Sequence, residues 1–90
     1  METKIMRVVQ TTGDAKAAGT TQVNTIVLAD LDSYRKDNRT MNAIVADTFG
    51  NLAQTKFYAG ELVAVNLQLG IHEYEGRVFQ DITVREIVKL

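Results

Sequence analysis

The sequence predicts an all-β domain with one short helix, its strands closed into a five-stranded Greek-key barrel. Three observations carry that expectation. β-Branched and apolar residues recur at period two in separate runs, most cleanly at Val63, Val65, Leu67 and Leu69. No proline interrupts any of the runs. Between them stand glycine and polar clusters, and one stretch, Phe49-Gly50-Asn51-Leu52-Ala53-Gln54, reads as a strand end running into a short helix.

Strand one is Lys4 to Gln10, rich in β-branched side chains and closed by the polar cluster Thr11-Thr12-Gly13-Asp14. Ala15 to Thr21 is small and polar with Gly19, and reads as a flexible connection. Strand two, Gln22 to Asp30, places Val23, Thr25, Val27 and Ala29 on one face and Ile26 and Leu28 on the other. Leu31 to Arg39 is loop, because Asp32, Ser33, Asp37 and Asn38 satisfy nearby backbone groups with their own side chains.

Strand three spans Thr40 to Asp47, with Thr48 to Gly50 as its exit. Asn51 is then placed to cap a helix running through Lys56, with Leu52 and Phe57 turned toward the interior. After Gly60-Glu61 comes strand four, Leu62 to Leu69, followed by a hairpin arm from Gly70 that turns near Glu75-Gly76. Strand five returns from Arg77 to Val88 with Val78, Ile82 and Val84 inward, and the shift to Ile87 implies a bulge or frayed end. Strand, strand, strand, helix, strand, strand is the order of the OB-fold, a barrel that binds oligonucleotides and oligosaccharides.

The 90 residues form a single OB-fold domain, 1–90. A chain of that size buries only about two-thirds of the surface its unfolded form exposes, so a partner subunit, as dimer or tetramer, is expected to add stability. The 46% hydrophobic content suits a folded core rather than a disordered chain. There is no cysteine, which excludes disulfides and thiolate chemistry and fits a reducing compartment. Met1 to Lys4 are polar and no apolar run nears the roughly 20 residues of a membrane span, so the expected location is cytoplasmic and away from membranes. The formal net charge of −1 means that any affinity for a polyanion must come from a local patch.

The second half of the chain resembles the bacterial single-stranded DNA-binding proteins. In that family strand three ends in Phe-Gly before a helix opening x-Leu-Ala-Glu, and here the same place holds Phe49-Gly50-Asn51-Leu52-Ala53-Gln54. An aromatic, a glycine turn and a Val-rich strand follow, matched by Phe57-Tyr58-Ala59-Gly60-Glu61-Leu62-Val63-Ala64-Val65. Glu73-Tyr74 stands where the family has a hairpin aromatic. The similarity covers roughly residues 44 to 88 and is weak before them.

Leu90 follows strand five directly, so the resemblance implies a short member without the disordered linker and acidic tip, related to primosomal replication protein N. The family commonly stacks bases on tryptophans, one of them in strand three. This chain has no tryptophan and holds Met41, Asn42 and Ala43 there, which implies an affinity below the family's norm.

Single-strand binding needs cations along the phosphates and flat side chains on which bases stack. Tyr34, Arg35, Lys36 and Arg39 lie in the loop between strands two and three, which in this family borders the groove; the same residues also suit a solvated loop. Phe49 matches a base-stacking phenylalanine of the family, although a phenylalanine at a strand end also suits a core. Tyr74, Arg77 and Phe79 share the hairpin arm, where they would meet nucleic acid or, for Phe79 above all, a dimer interface. Lys56, Arg7 and Arg85 could extend the cationic track, and Tyr58 is expected to pack beneath the barrel.

His72 alone cannot make a metal site, which needs three or four convergent ligands. Glu73 and Glu75 lack an enclosing pocket, the glycines form no phosphate-cradling loop, and Ser33 is far along the chain from His72. Neither catalysis nor a cofactor is expected. The function implied is binding of single-stranded DNA with little sequence preference, in replication, recombination or repair. Two alternatives share the fold: a protein-interaction or assembly module, and an RNA- or oligosaccharide-binding barrel.

Overall fold

The computed structural model describes residues 3–31 and 43–90. These form β1 (Lys4–Val8), β2 (Lys16–Ala18), β3 (Thr21–Asp30), β4 (Ala43–Phe49), the single-turn helix α1 (Asn51–Gln54), β5 (Leu62–Tyr74) and β6 (Arg77–Lys89). The domain is mostly β, and its strands join one sheet in the order β1-β5-β6-β4-β3-β2, with β1 also pairing β3. All pairings are antiparallel except β4 with β6, which run parallel at Asp47 and Thr83.

Alternation decides what is buried. Met6 and Val8, Ile26 and Leu28, Ala46, Val63, Val65 and Leu67, and Val84 meet in one core that Phe57 closes, with Ile44, Leu52, Ile82 and Ile87 packed against it. A bulge lies where Asn66 pairs Glu86 but Leu67 pairs Val84, leaving Arg85 as the extra residue and shifting the inward positions to Ile87. The expected irregularity in strand five is therefore a bulge.

Four local expectations are corrected. Ala15 to Thr21 contains a strand: Lys16–Ala18 turns at Gly19-Thr20 and pairs with β3, and it carries no apolar pattern because all three of its residues are exposed. The helix ends at Gln54, and its N-cap is Gly50, not Asn51. Gly50 has φ 63° and ψ −130°, a conformation in which a Cβ is strained, and it reverses the chain one residue earlier than a capping asparagine would. Leu69 and Val78 continue the inward alternation yet are exposed, because β5 and β6 outrun the rest of the sheet. Tyr58 is also exposed, with the Lys89 ammonium 5.5 Å from its ring centre.

The connections are tied to the body by side chains. The Thr12 hydroxyl accepts a hydrogen bond from the Phe57 amide at 3.0 Å, and the Thr12 amide donates to the Phe57 carbonyl at 2.9 Å. Asn24 donates to the carbonyls of Gly13 at 2.8 Å and Ala53 at 3.2 Å, holding the approach to β2 and the end of α1 against β3.

Candidate functional site

Because Ile26 and Leu28 of β3 and Ala46 and Thr48 of β4 turn inward, Val23, Thr25 and Val27 and then Val45, Asp47 and Phe49 turn outward. Thr83 of β6 pairs Asp47 and so lies on that outward face, and Thr83 in turn pairs Gln68 of β5. Continuing the alternation past Thr83, the same face takes in Asp81, Phe79 and Arg77 on β6 and His72 and Tyr74 opposite them on β5. One surface thus runs from the end of β4 out along the arm.

Its two ends carry the aromatic groups. At one end Phe49, 44% exposed, pairs with Val23, and Val23 pairs with Lys16, so an ammonium borders the ring's row. At the other, Tyr74 is 63% exposed and pairs Arg77, while Phe79 is 41% exposed and pairs His72. The His72 imidazole stacks on Phe79 with centroids 5.1 Å apart and planes 18° apart, and its Nδ1 lies 2.7 Å from Asp81 Oδ2. Taking about 3.3 Å per residue, Phe79 and Phe49 stand roughly 20 Å apart along the strands.

The arm turns tightly. Glu75 and Gly76 have φ 51° and 76°, the paired positive angles of a two-residue type I′ turn, whose twist matches that of the flanking strands. Every residue from Gly70 to Gln80 is exposed, so the arm projects beyond the core and carries Tyr74, Arg77 and the His72-stacked Phe79 on its surface.

Four of the expected site residues, Phe49, Tyr74, Arg77 and Phe79, fall on this face, with Phe49 remote from the other three. Tyr34, Arg35, Lys36 and Arg39 lie outside the described residues. Sequence reasoning missed Lys16, which reaches the face through the unrecognised β2 hairpin; Gly19-Thr20 between two runs was the available signal. It also did not pair His72 with Phe79, which the register of the arm sets opposite each other.

Lys16, Arg77 and Arg85 are exposed and make no ion pair among the described residues, where the recorded pairs are Lys4 with Asp30, Lys89 with Glu61 and His72 with Asp81. Among the described residues no three His, Asp or Glu side chains gather to hold a metal ion, and no helix is long and apolar enough to cross a membrane. A cavity of about 480 Å³ opens elsewhere, floored by Met6, Ile44, Leu67 and Ile82 and rimmed by the Lys4–Asp30 pair. Comparison with protein-family models, with curated proteins and with solved structures gave no match.

Proposed function

We propose that this chain is a five-stranded OB-fold Greek-key barrel that binds single-stranded DNA with little sequence preference, as a homo-oligomeric cytoplasmic protein of replication, recombination or repair. The fold reading is supported by the pairing pattern: β1, β5, β6, β4 and β3 each have two main-strand neighbours, and α1 stands between β4 and β5. OB-folds bind their ligands on the face of their second and third strands, between the loops that flank it. Those strands correspond to β3 and β4, and the flanking elements to the β2 hairpin and the arm.

The observation that carries the functional reading is the placement of exposed aromatic rings at both ends of this one face, with a cation at each end: Lys16 two strands across from Phe49, and Arg77 paired with Tyr74. Bases unstack onto Phe49, Phe79 and Tyr74, while Lys16 and Arg77 follow the phosphates. Every base has a π-face, so such a surface holds a strand without reading it.

Assembly is supported by a second outward row, farther round the same outer surface of the sheet, on β1, β5 and β6. Ile5 pairs Ala64 and Ala64 pairs Val88, which leaves Ile5 and Val88 exposed on either side of Ala64 on a short chain that gains from burying them. A competing reading has the arm itself as the subunit contact, because Ile71 and Val78 are exposed on its other face. Gel filtration separates the two: substituting Ile5 and Val88 by lysine lowers the assembled mass if the row is the contact, and substituting Ile71 and Val78 does so if the arm is.

Fluorescence anisotropy with labelled oligo-dT, against duplex DNA and RNA of the same length, tests the binding reading. Oligo-dT binds at micromolar protein and low salt, and duplex binds less. No oligo-dT binding under those conditions removes the reading.

A further inference from the structure

A polar row crosses the middle of the proposed face. Thr25 of β3 pairs Asp47 of β4, Asp47 pairs Thr83 of β6, and Thr83 pairs Gln68 of β5, so four hydrogen-bonding side chains stand abreast on four adjacent strands. Neighbouring strands lie about 4.8 Å apart, so the row is about 14 Å long. Thr25 and Gln68 are exposed and Asp47 and Thr83 are half-buried. On β3 and β4 the flanking positions of this face are apolar, Val27 and Val45 to one side and Val23 with Phe49 to the other, while Asp81 follows Thr83 on β6.

The centre of the row is the unexpected group. A carboxylate repels phosphate, and Asp47 makes no hydrogen bond or ion pair among the described residues. Its two oxygens only accept hydrogen bonds, and flanking threonine hydroxyls can donate as well as accept. An anion set between stacking platforms, with donors at its side, fits the edge of an unpaired base better than it fits the backbone.

From this row we infer that Asp47 gives the protein a preference for guanine in single-stranded DNA, an inference that rests on the binding reading above and refines it: one base-reading position in a face whose stacking surfaces otherwise accept any base. An unpaired guanine offers N1–H and its N2 amino group side by side, two donors for two carboxylate oxygens, with O6 beside them to accept from Thr25 or Thr83. Adenine and cytosine each present one amino group next to a ring nitrogen lone pair, which repels the second oxygen. Thymine presents one N–H between two carbonyls. Only guanine matches both acceptors, and a good bidentate contact of this kind discriminates by a factor of roughly ten or more.

The test compares labelled oligonucleotides of equal length by fluorescence anisotropy in lithium buffer, which suppresses quadruplexes: oligo-dT, and repeats alternating thymine with guanine, adenine or cytosine. Wild type binds the guanine repeat about tenfold more tightly than oligo-dT and the other repeats within a few-fold of it. Asp47→Asn keeps the shape but offers one acceptor and one donor, and the guanine-to-thymine ratio falls to within about twofold; Asp47→Ser does the same. Wild-type affinities equal for all four sequences, or a guanine preference that survives Asp47→Asn, overturn the inference while leaving single-strand binding intact. Failure of every oligonucleotide to bind removes the underlying reading instead.

Discussion

Replacing Thr12 by valine removes a buried hydroxyl that accepts from the Phe57 amide at 3.0 Å and donates to the Phe57 carbonyl at 3.4 Å, joining residues 45 apart. Thr12 is 6% exposed and Phe57 is 2% exposed, so neither group can turn to water. Valine keeps the volume and branching of threonine and removes only the hydroxyl. The Phe57 carbonyl retains its 2.9 Å bond from the Thr12 amide, so the loss falls on one group, the Phe57 N–H that donates to Oγ1. A buried donor left without an acceptor costs about 1–3 kcal/mol. For a domain of this size each 1 kcal/mol moves the melting temperature by roughly 4–8 °C, so Thr12→Val should lower it by about 4–24 °C. Circular dichroism melts at one fixed protein concentration measure this, since assembly makes the midpoint concentration-dependent. Thr12→Ser, which keeps the hydroxyl, should retain most of the stability. A valine variant that melts within 2 °C of wild type, or below the serine variant by no more than error, would refute the reasoning.

Phe49→Ala and Phe79→Ala should each weaken oligo-dT binding about tenfold, since stacking contributes on the order of 1–3 kcal/mol per base, and an unchanged affinity removes that ring from the interface. Gly76 has φ 76° and nothing within 4 Å of where a Cβ would sit, so Gly76→Ala carries a purely conformational cost of about 1–2 kcal/mol. Amide exchange in the arm should speed up in that variant and remain near wild type in Gly76→Asn. Lys16→Ala should weaken binding at low salt and leave the melting temperature unchanged, because the side chain is exposed on a short edge strand.

The long strands were legible because each has one buried face, and burial is what imposes period two on a sequence. The β2 strand has none, and its three residues could not announce it. The opposite failure occurs in the arm: Leu69 and Val78 keep the alternation of a core strand, and a local pattern carries no information about whether another element lies opposite to cover it. Phe57 and Tyr58 make the same point as neighbours, one closing the core and the other on the surface. At the site, the aromatic residues could be read one by one as stacking groups. Lys16 beside Val23, His72 against Phe79, and Thr25, Asp47 and Thr83 in one row could not, because pairing register brings together residues distant in the chain.

A net charge of −1 is compatible with a DNA-binding face if stacking leads and phosphate pairing follows, and the salt dependence measures the balance. Each phosphate neutralised on a single strand contributes about −0.7 to the slope of log affinity against log salt. Lys16, Arg77 and Arg85, engaged together, give a slope near −2 per protomer, or a loss of about fifteenfold between 50 and 200 mM salt. If Arg35, Lys36 and Arg39 also pair with phosphate, as the family resemblance implies, the slope steepens to near −4 and the loss to about 300-fold. Replacing those three by alanine then distinguishes the cases. A slope that falls from −4 to −2 assigns them to the interface, a slope of −2 in both proteins confines binding to the described face, and a slope near zero with affinity retained would leave the aromatic groups to hold the strand alone.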